Sequence, residues 1–400
     1  MKICFLNAWG NGSTGRIVEQ LAKECVRRND EYLFLYGRGK SNLENAVCMN
    51  TKANLYFDAL CSRLFDNQGL NSKTQTKRII KKIEDFSPDI IHIHNLHGYW
   101  INYKILFDYI KENDIRVVWT LHDSWPLTGH CACYSYLECK NFNNGCGKCP
   151  GYKEYPKALF DYSQNRLSDK IIAFRNVNRM VFAVPSEWMK KNVEGSELSS
   201  YPIIVIHNQI NSNVFCYQKD SNIREKLGIS ANKKIVLYVA MNTRDPWKGF
   251  DIFKDAIQML SDEYYVVIVG ECDISNSDRV FNLGRISDQK KLAQIYSASD
   301  VLANPSLDDN YPTVNLEALA CGLPVAAFET GGIPEQIDST CGCLSAEKSA
   351  SALVSSIRKV IALDRNDIRE CCFRKYESIS GKHSFIEEYF NLFDKSTLEH

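Results

Sequence analysis

Two acidic residues, Asp309 and Glu317, flank the start of an expected helix and offer the clearest chemistry in the chain. An apolar run, Val301 to Asn304, leads into Pro305, Ser306, Leu307, Asp308 and Asp309, and Pro312 and Thr313 suit the first turn of a helix. The stretch Asn310, Tyr311, Pro312, Thr313 and Val314 then makes an anion site. Backbone N–H groups from Thr313 onward, backed by a helix dipole of roughly half a positive charge, suit a diphosphate. Glu317, about one turn further on, can accept hydrogen bonds from ribose hydroxyls, while Asp309 stands nearer the strand end, over a sugar.

A second candidate follows the first apolar run. Gly10, Asn11, Gly12, Ser13, Thr14, Gly15 and Arg16 satisfy the Gly-x-Gly-x-x-Gly dinucleotide fingerprint between a strand and a helix. Alone it proposes a dehydrogenase. Tyr36, Gly37, Arg38 and Gly39 stand where an acidic ribose ligand is wanted, so Arg38 would make the cofactor NADP. Against this, Asn7, Ala8 and Trp9 separate the apolar strand from the first glycine and lengthen a turn that should be tight.

Histidines supply the third set. His122 and Asp123 come straight after the apolar run Val117 to Leu121, so His122 is expected to point into a cleft, with Asp123 orienting it or binding an acceptor. His92, His94 and His97 form a His-x-His-x-x-His string, and strand alternation places His92 and His94 on one face. No metal is expected there: His92 should pack within its strand, leaving His94, Asn95 and His97 beside the cleft for acceptor or donor contacts.

Positioning these groups requires a particular scaffold. Short runs rich in Ile, Val, Phe and Tyr (Lys2 to Leu6, Tyr32 to Tyr36, Ile90 to His94, Val117 to Leu121, Met180 to Ala183, Ile203 to Ile206) alternate with helical stretches. That is βα alternation, hence a parallel sheet. After a polar stretch from Asn208 to Asn213 the pattern restarts with Ile235 to Ala240, Tyr265 to Val269, Val280 to Leu283, Val301 to Asn304 and Val325 to Phe328. Two doubly wound α/β domains follow, residues 1–208 and 209–383, with ligands expected between the carboxyl ends of the sheets. A last helix, within 384–397, carries Phe385, Ile386, Tyr389, Phe390 and Phe393 at helical spacing, so one face must be buried.

The bulk numbers agree. Four hundred residues at 44% hydrophobic favour two domains, and 48 basic against 48 acidic residues leave no global field for nucleic acid. The chain opens directly on a strand without the basic and apolar regions of a signal peptide, so a cytoplasmic location is expected. Leu398, Glu399 and His400 read as the start of a purification tag. Most of the sixteen cysteines are expected to be reduced core residues.

With these elements in place, the Asp309 to Glu317 stretch resembles the donor-binding motif of the retaining GT-B glycosyltransferases of family 4, written as two glutamates separated by seven residues. Here the first is shortened to aspartate, while Gly322, Leu323, Pro324 and Gly331, Gly332, Ile333, Pro334 continue the pattern. The resemblance spans most of the chain. It implies a GT-B fold, two Rossmann-like domains facing each other across a cleft, with the last helix crossing back to the first. It implies that Lys248 contacts the donor diphosphate; the family's arginine five residues earlier is replaced by Thr243, with Arg244 one step late. It implies that Gly12, Ser13, Thr14, Gly15 and Arg16 bring backbone N–H groups to the donor, and that His122 touches the transferred sugar rather than acting as a base.

The implied activity is retaining hexosyl transfer, carried by His122, Lys248, Asp309 and Glu317, from a UDP- or GDP-linked sugar to a saccharide or lipid-linked saccharide in capsule, O-antigen or exopolysaccharide synthesis. No catalytic cofactor is required. The alternatives are a GT-B nucleotide-sugar epimerase, an NADP-dependent oxidoreductase built on Gly10 to Gly15, and a zinc-bearing interaction module.

Two features stand outside that core reading. An insert of about 123–158 carries Cys131, Cys133, Cys139, Cys146 and Cys149. Cys146 and Cys149 have zinc-knuckle spacing, and Cys131 and Cys139 can supply a second pair for a structural zinc, with Cys133 the alternative and disulfides or free thiols the competing fates. Placed after His122, the insert should wall the acceptor side. Lys73, Lys77, Arg78, Lys81 and Lys82, beside Ile79, Ile80 and Ile83 on one expected helix, form a basic amphipathic surface suited to peripheral contact with anionic lipid.

Overall fold

The computed structural model of the chain describes residues 1–139, 141, 144–381 and 384–394. Lys395 and the expected tag residues Leu398, Glu399 and His400 lie outside the described residues. Two compact units emerge, one of Met1–Ile206 joined by the helix Phe385–Asp394, the other of His207–Ser384.

The first unit is a seven-stranded parallel sheet of β1 (Lys2–Trp9), β2 (Glu31–Arg38), β3 (Ala46–Cys48), β4 (Ile90–Ile93), β5 (Arg116–Thr120), β6 (Met180–Val184) and β7 (Ile203–Val205). Its order is β3-β2-β1-β4-β5-β6-β7. Because helices cover both faces, the strands read as nearly continuous apolar runs. Cys4, Leu6, Ile91 and Ile93 enter one core, while Ile3, Phe5 and Val118 enter the other with the last helix.

That helix presents Phe385, Tyr389, Phe390, Leu392 and Phe393 to the sheet, all buried. Each large apolar side chain fully buried stabilises by roughly 1.5–3 kcal/mol. Its carboxyl end is held by Arg116, whose guanidinium donates to the carbonyls of Phe393 and Leu392 at 2.6 and 2.7 Å, a cation where the helix dipole is negative.

The second unit repeats the plan with β8 (Lys234–Asn242), β9 (Tyr264–Glu271), β10 (Val280–Asn282), β11 (Val301–Asn304), β12 (Val325–Phe328) and β13 (Gly342–Ser345), all parallel, in the order β10-β9-β8-β11-β12-β13. In each sheet the winding reverses beside the first strand, between β1 and β4 and between β8 and β11. Loops leaving those strands flank the crevice where doubly wound sheets bind ligands.

Three expectations change. β1 does not stop at Leu6: Asn7 pairs with Tyr36 and Trp9 with Arg38, so the polar end of the strand is fixed by register rather than hydrophobicity. β3 and β13 had no signal, because they are short edge strands whose residues are largely half-exposed. Of the sixteen cysteines only six are buried, Cys4, Cys25, Cys131, Cys321, Cys341 and Cys372, so most are not core residues.

Candidate functional site

The carboxyl edge of the second sheet gathers the donor-motif residues. Lys248 lies in a short turn after β8, and its ammonium meets Asp309 Oδ2 at 2.6 Å in the loop after β11. The two loops are tied through backbone, Leu307 N–H donating to the Trp247 carbonyl at 2.7 Å. Glycine is required at both tight points. Gly249 has φ of 64° and a Cβ there would stand 1.9 Å from the Pro305 carbonyl oxygen; Gly331 has φ of 55° and a Cβ would stand 1.8 Å from that of Asp309. Gly332 N–H also donates to the Asp309 carbonyl, at 3.1 Å. The loop carrying Asp309 is thus clamped from two sides.

The helix begins at Thr313, one residue later than the sequence suggested, with Pro312 as its N-cap and no side chain capping it. The first-turn N–H groups of a helix lack intrahelical partners, which leaves this end suited to an anion. Glu317, buried, accepts a 2.8 Å hydrogen bond at Oε2 from the Tyr296 hydroxyl, which fixes the carboxylate. Beneath the loop runs a buried amide chain: Asn304 Nδ2 donates to Asn315 Oδ1, Asn315 Nδ2 to Gln336 Oε1, and Gln336 Nε2 to the Pro312 carbonyl. Sequence reasoning missed Asn304, Asn315, Gln336 and Tyr296; their only signal is polarity at apolar positions.

Other members of the expected donor set take scaffold roles. Tyr311 is buried, stacked on His207 at 4.7 Å, and its carbonyl accepts from Asn208 Nδ2 at 3.2 Å. Asn310 is also buried, whereas Thr313 and Val314 are half-exposed. Thr243, at the family's arginine position, is buried with its hydroxyl on the Glu271 carbonyl at 2.7 Å, and Arg244 is exposed. Burial raises the Asp245 carboxyl, with Lys248 and an Asn242 amide opposing.

In the first unit, Gly12 to Arg16 is not a loop but the opening of the helix Gly12–Arg27. The turn from β1 is only Gly10 and Asn11, so the lengthened turn held against a dinucleotide reading does not exist. Gly15 packs against the Gly10 backbone, and Asn7 Nδ2 donates to the Thr14 hydroxyl at 3.0 Å. Ser13 and Arg16 are exposed. The Arg38 guanidinium lies over the Trp9 ring at 4.1 Å.

The histidines pair across β4 and β5. His94 Nδ1 and His122 Nε2 lie 2.8 Å apart with their rings stacked, and His92 Nε2 meets the Thr120 hydroxyl, itself 2.8 Å from that of Tyr389. His97 Nε2 meets Asp123 Oδ2 at 2.8 Å, and its Nδ1 the Tyr155 hydroxyl of the insert at 3.1 Å. Asn95 N–H donates to Asn7 Oδ1 at 3.3 Å. His94 Nε2 is buried without a hydrogen-bond partner among the described residues.

Burial depresses all three of these histidines: His122 to about 4, His92 to about 3, and His94 well below its ordinary range. For Asp123 burial pushes up, but the His97 ring and N–H donors outweigh it and hold the carboxyl low. Between pH 6.5 and about 4 the unfolded chain binds protons that the folded histidines refuse, so stability is fully present above 6.5 and falls as pH drops through this window, by at most about 1.4 kcal/mol per histidine per pH unit. Urea midpoints should therefore fall from pH 7.5 to pH 5, with a shallower slope in His92→Asn; an unchanged slope would mean that His92 titrates normally.

The family model for Glycosyltransferase Family 4 matches residues 14–214, and that for Glycosyl transferases group 1 matches residues 219–372. The putative colanic acid biosynthesis glycosyl transferase WcaC of Escherichia coli K12 is 27% identical over 400 residues, covering 96% of both chains. Among solved structures, sucrose-phosphate synthase from Thermosynechococcus elongatus superposes with a TM-score of 0.72 at 17% identity, covering 98% of each chain. Anabaena HepE in complex with UDP-glucose gives 0.69 at 18% identity, over 98% of this chain and all of that one. At such identities the likeness establishes the fold, GT-B.

Proposed function

Since the chain belongs to glycosyltransferase family 4, we propose that it transfers a hexosyl group with retention from a nucleoside-diphosphate sugar to a saccharide acceptor, lipid-linked in the cell, during assembly of a bacterial surface polysaccharide. One observation carries this reading: the Lys248–Asp309 ion pair lies in the loops flanking β8 and β11, ahead of an uncapped helix start, with Glu317 one turn behind it. A cation and a helix N-terminus suit a leaving diphosphate, and a fixed carboxylate suits a ribose. WcaC, named for colanic acid synthesis, supports the polysaccharide role, and HepE, solved with UDP-glucose, supports a UDP-linked donor.

On this reading the leaving diphosphate takes the acceptor proton on the face it departs from. Lys248 neutralises the charge that develops on the diphosphate, Asp309 faces the sugar, and His122 takes the role that the family resemblance implies for it. No catalytic metal is invoked. Thermal melting against UDP, GDP, UDP-glucose, GDP-mannose and NADPH tests the reading: a ligand at a hundredfold its Kd stabilises by about 2.7 kcal/mol. Stabilisation by one nucleoside diphosphate and its sugar is expected; stabilisation by NADPH alone would restore the oxidoreductase.

The acceptor reading extends to a membrane surface. No helix among the described residues is long and apolar enough to cross a bilayer. Ile79 and Ile83 are buried in the core, so the basic helix Lys73–Phe86 turns mainly charged side chains outward, with Ile80 half-exposed beside them. The apolar contribution comes instead from the helix Lys52–Phe65, tied to it by Asn54 Nδ2 on Ser72 Oγ, where Tyr56, Phe57, Leu60 and Phe65 are exposed. Together they suit peripheral contact with anionic lipid at the cytoplasmic face. Co-sedimentation with vesicles rich in anionic lipid but not with neutral ones, weakened by salt and by Phe57→Ser, is expected; equal recovery with both vesicle types would remove the membrane from the account.

A further inference from the structure

The insert between β5 and the helix Ser163–Phe174 folds around a small cavity of about 10 Å³ lined by Cys131, Cys139, Cys146 and Cys149, with His130 and Thr128. Four cysteines spread from Cys131 to Cys149 thus line one space. Tetrahedral zinc, with sulfur at about 2.3 Å, sets its ligands roughly 3.8 Å apart, so cysteines lining one small space can close on it. Cys146 Sγ already accepts from the Gly129 N–H at 3.3 Å, the kind of bond that steadies a thiolate ligand.

A second, independent observation points to a guest. His130 is 2% exposed, its Nδ1 is engaged by the buried Asp66 carboxylate, and its Nε2 has no hydrogen-bond partner among the described residues. A carboxylate holding one ring nitrogen while the other faces a cavity is the arrangement that orients a metal-ligating imidazole. Leaving such a nitrogen buried and unpaired is unfavourable, and a guest in the cavity relieves it.

Charge agrees as well. Lys170, buried beside this cavity, donates to the carbonyls of Trp125 and Thr128 at 2.6 and 2.9 Å and makes no ion pair among the described residues. Zinc with three or four thiolates is a net anion, which a neighbouring buried ammonium offsets.

We propose that this cavity is a metal site for one zinc-class cation, ligated by the thiolates of Cys131, Cys146 and Cys149 and completed by Cys139 or by Nε2 of His130. Among the described residues no three such side chains already converge in ligating geometry, so binding draws the thiols inward and releases their protons. The soft sulfur donors select zinc over calcium or magnesium. Closing the insert this way removes loop entropy from the segment that follows His122 and Asp123 and carries Tyr155, the partner of His97. The site is structural and does not depend on the donor assignment.

The test is elemental analysis of the full chain purified under reducing conditions without chelator, followed by exchange with cobalt. One equivalent of zinc per chain is expected, with intense thiolate-to-cobalt charge transfer and tetrahedral ligand-field bands after exchange. Cys146→Ser/Cys149→Ser should lose the metal. Cobalt spectra of Cys139→Ser and His130→Gln name the fourth ligand: the one that is a ligand shifts the bands, and no shift in either means that the coordination is wrong. Should the double variant not fold, the wild-type cobalt spectrum decides alone. Metal-free protein with reduced thiols that takes up no cobalt, or a mass showing these cysteines oxidised in pairs as isolated, would overturn the proposal.

Discussion

Lys248→Ala is expected to lower kcat by about 10²- to 10³-fold, the loss typical of removing one preorganised group that meets charge developing in a transition state. The ion pair sharpens the expectation. Lys248 Nζ stands 2.6 Å from Asp309 Oδ2, and the Asp309 side chain is only 13% exposed, so the alanine variant removes a cation and leaves a carboxylate uncompensated beside the diphosphate. Donor affinity should therefore fall along with kcat. Lys248→Ala/Asp309→Asn separates the two effects: removing the stranded charge should recover much of the donor affinity but little of kcat. Steady-state kinetics and nucleotide titration of the three proteins check it. Near-normal kcat in Lys248→Ala would detach the lysine from the chemistry.

Glu317→Gln should weaken donor nucleotide binding about tenfold to a hundredfold, corresponding to the roughly 1.5–3 kcal/mol of a hydrogen bond made to a charged group. Glutamine keeps the volume and can still accept from the Tyr296 hydroxyl, so the unliganded protein should melt as the parent does. The informative comparison is UDP against its 2′,3′-dideoxyribose analogue. If Glu317 binds the ribose, the parent should discriminate strongly and Glu317→Gln hardly at all. Equal discrimination in both proteins would move the carboxylate out of the donor site and make it a packing residue.

The histidine pairing and the insert show where sequence stopped. Alternation correctly put His92 and His94 on one face, yet only the neighbouring strand decides that His94 meets His122, because register between β4 and β5 sets which residues stand side by side. His130 carried no motif at all. Its meaning appears only once Asp66, far away in sequence, holds one ring nitrogen and the cysteines line the space around the other.

The glycine segment taught the opposite lesson. Its fingerprint was legible, but the objection raised against it, three residues too many before the first glycine, rested on where an apolar run ends. Strands end where pairing ends, and Asn7 and Trp9 continue to pair with Tyr36 and Arg38.

By itself the sequence determined the α/β class, the restart of the pattern after about residue 208, the helix start behind Asp309, and the Asp309 to Glu317 spacing that resembles the family's donor motif. All of these are local: periodicity, punctuation and spacing act over a few residues and survive in one dimension. Tertiary structure alone decided that Lys248 pairs with Asp309, that Tyr296 fixes Glu317, that Asn304, Asn315 and Gln336 brace the loop, and that His130 and four cysteines share a cavity. Those contacts join residues that only the parallel crossovers bring together, and a hydrogen bond carries no trace in sequence until both of its ends have been placed.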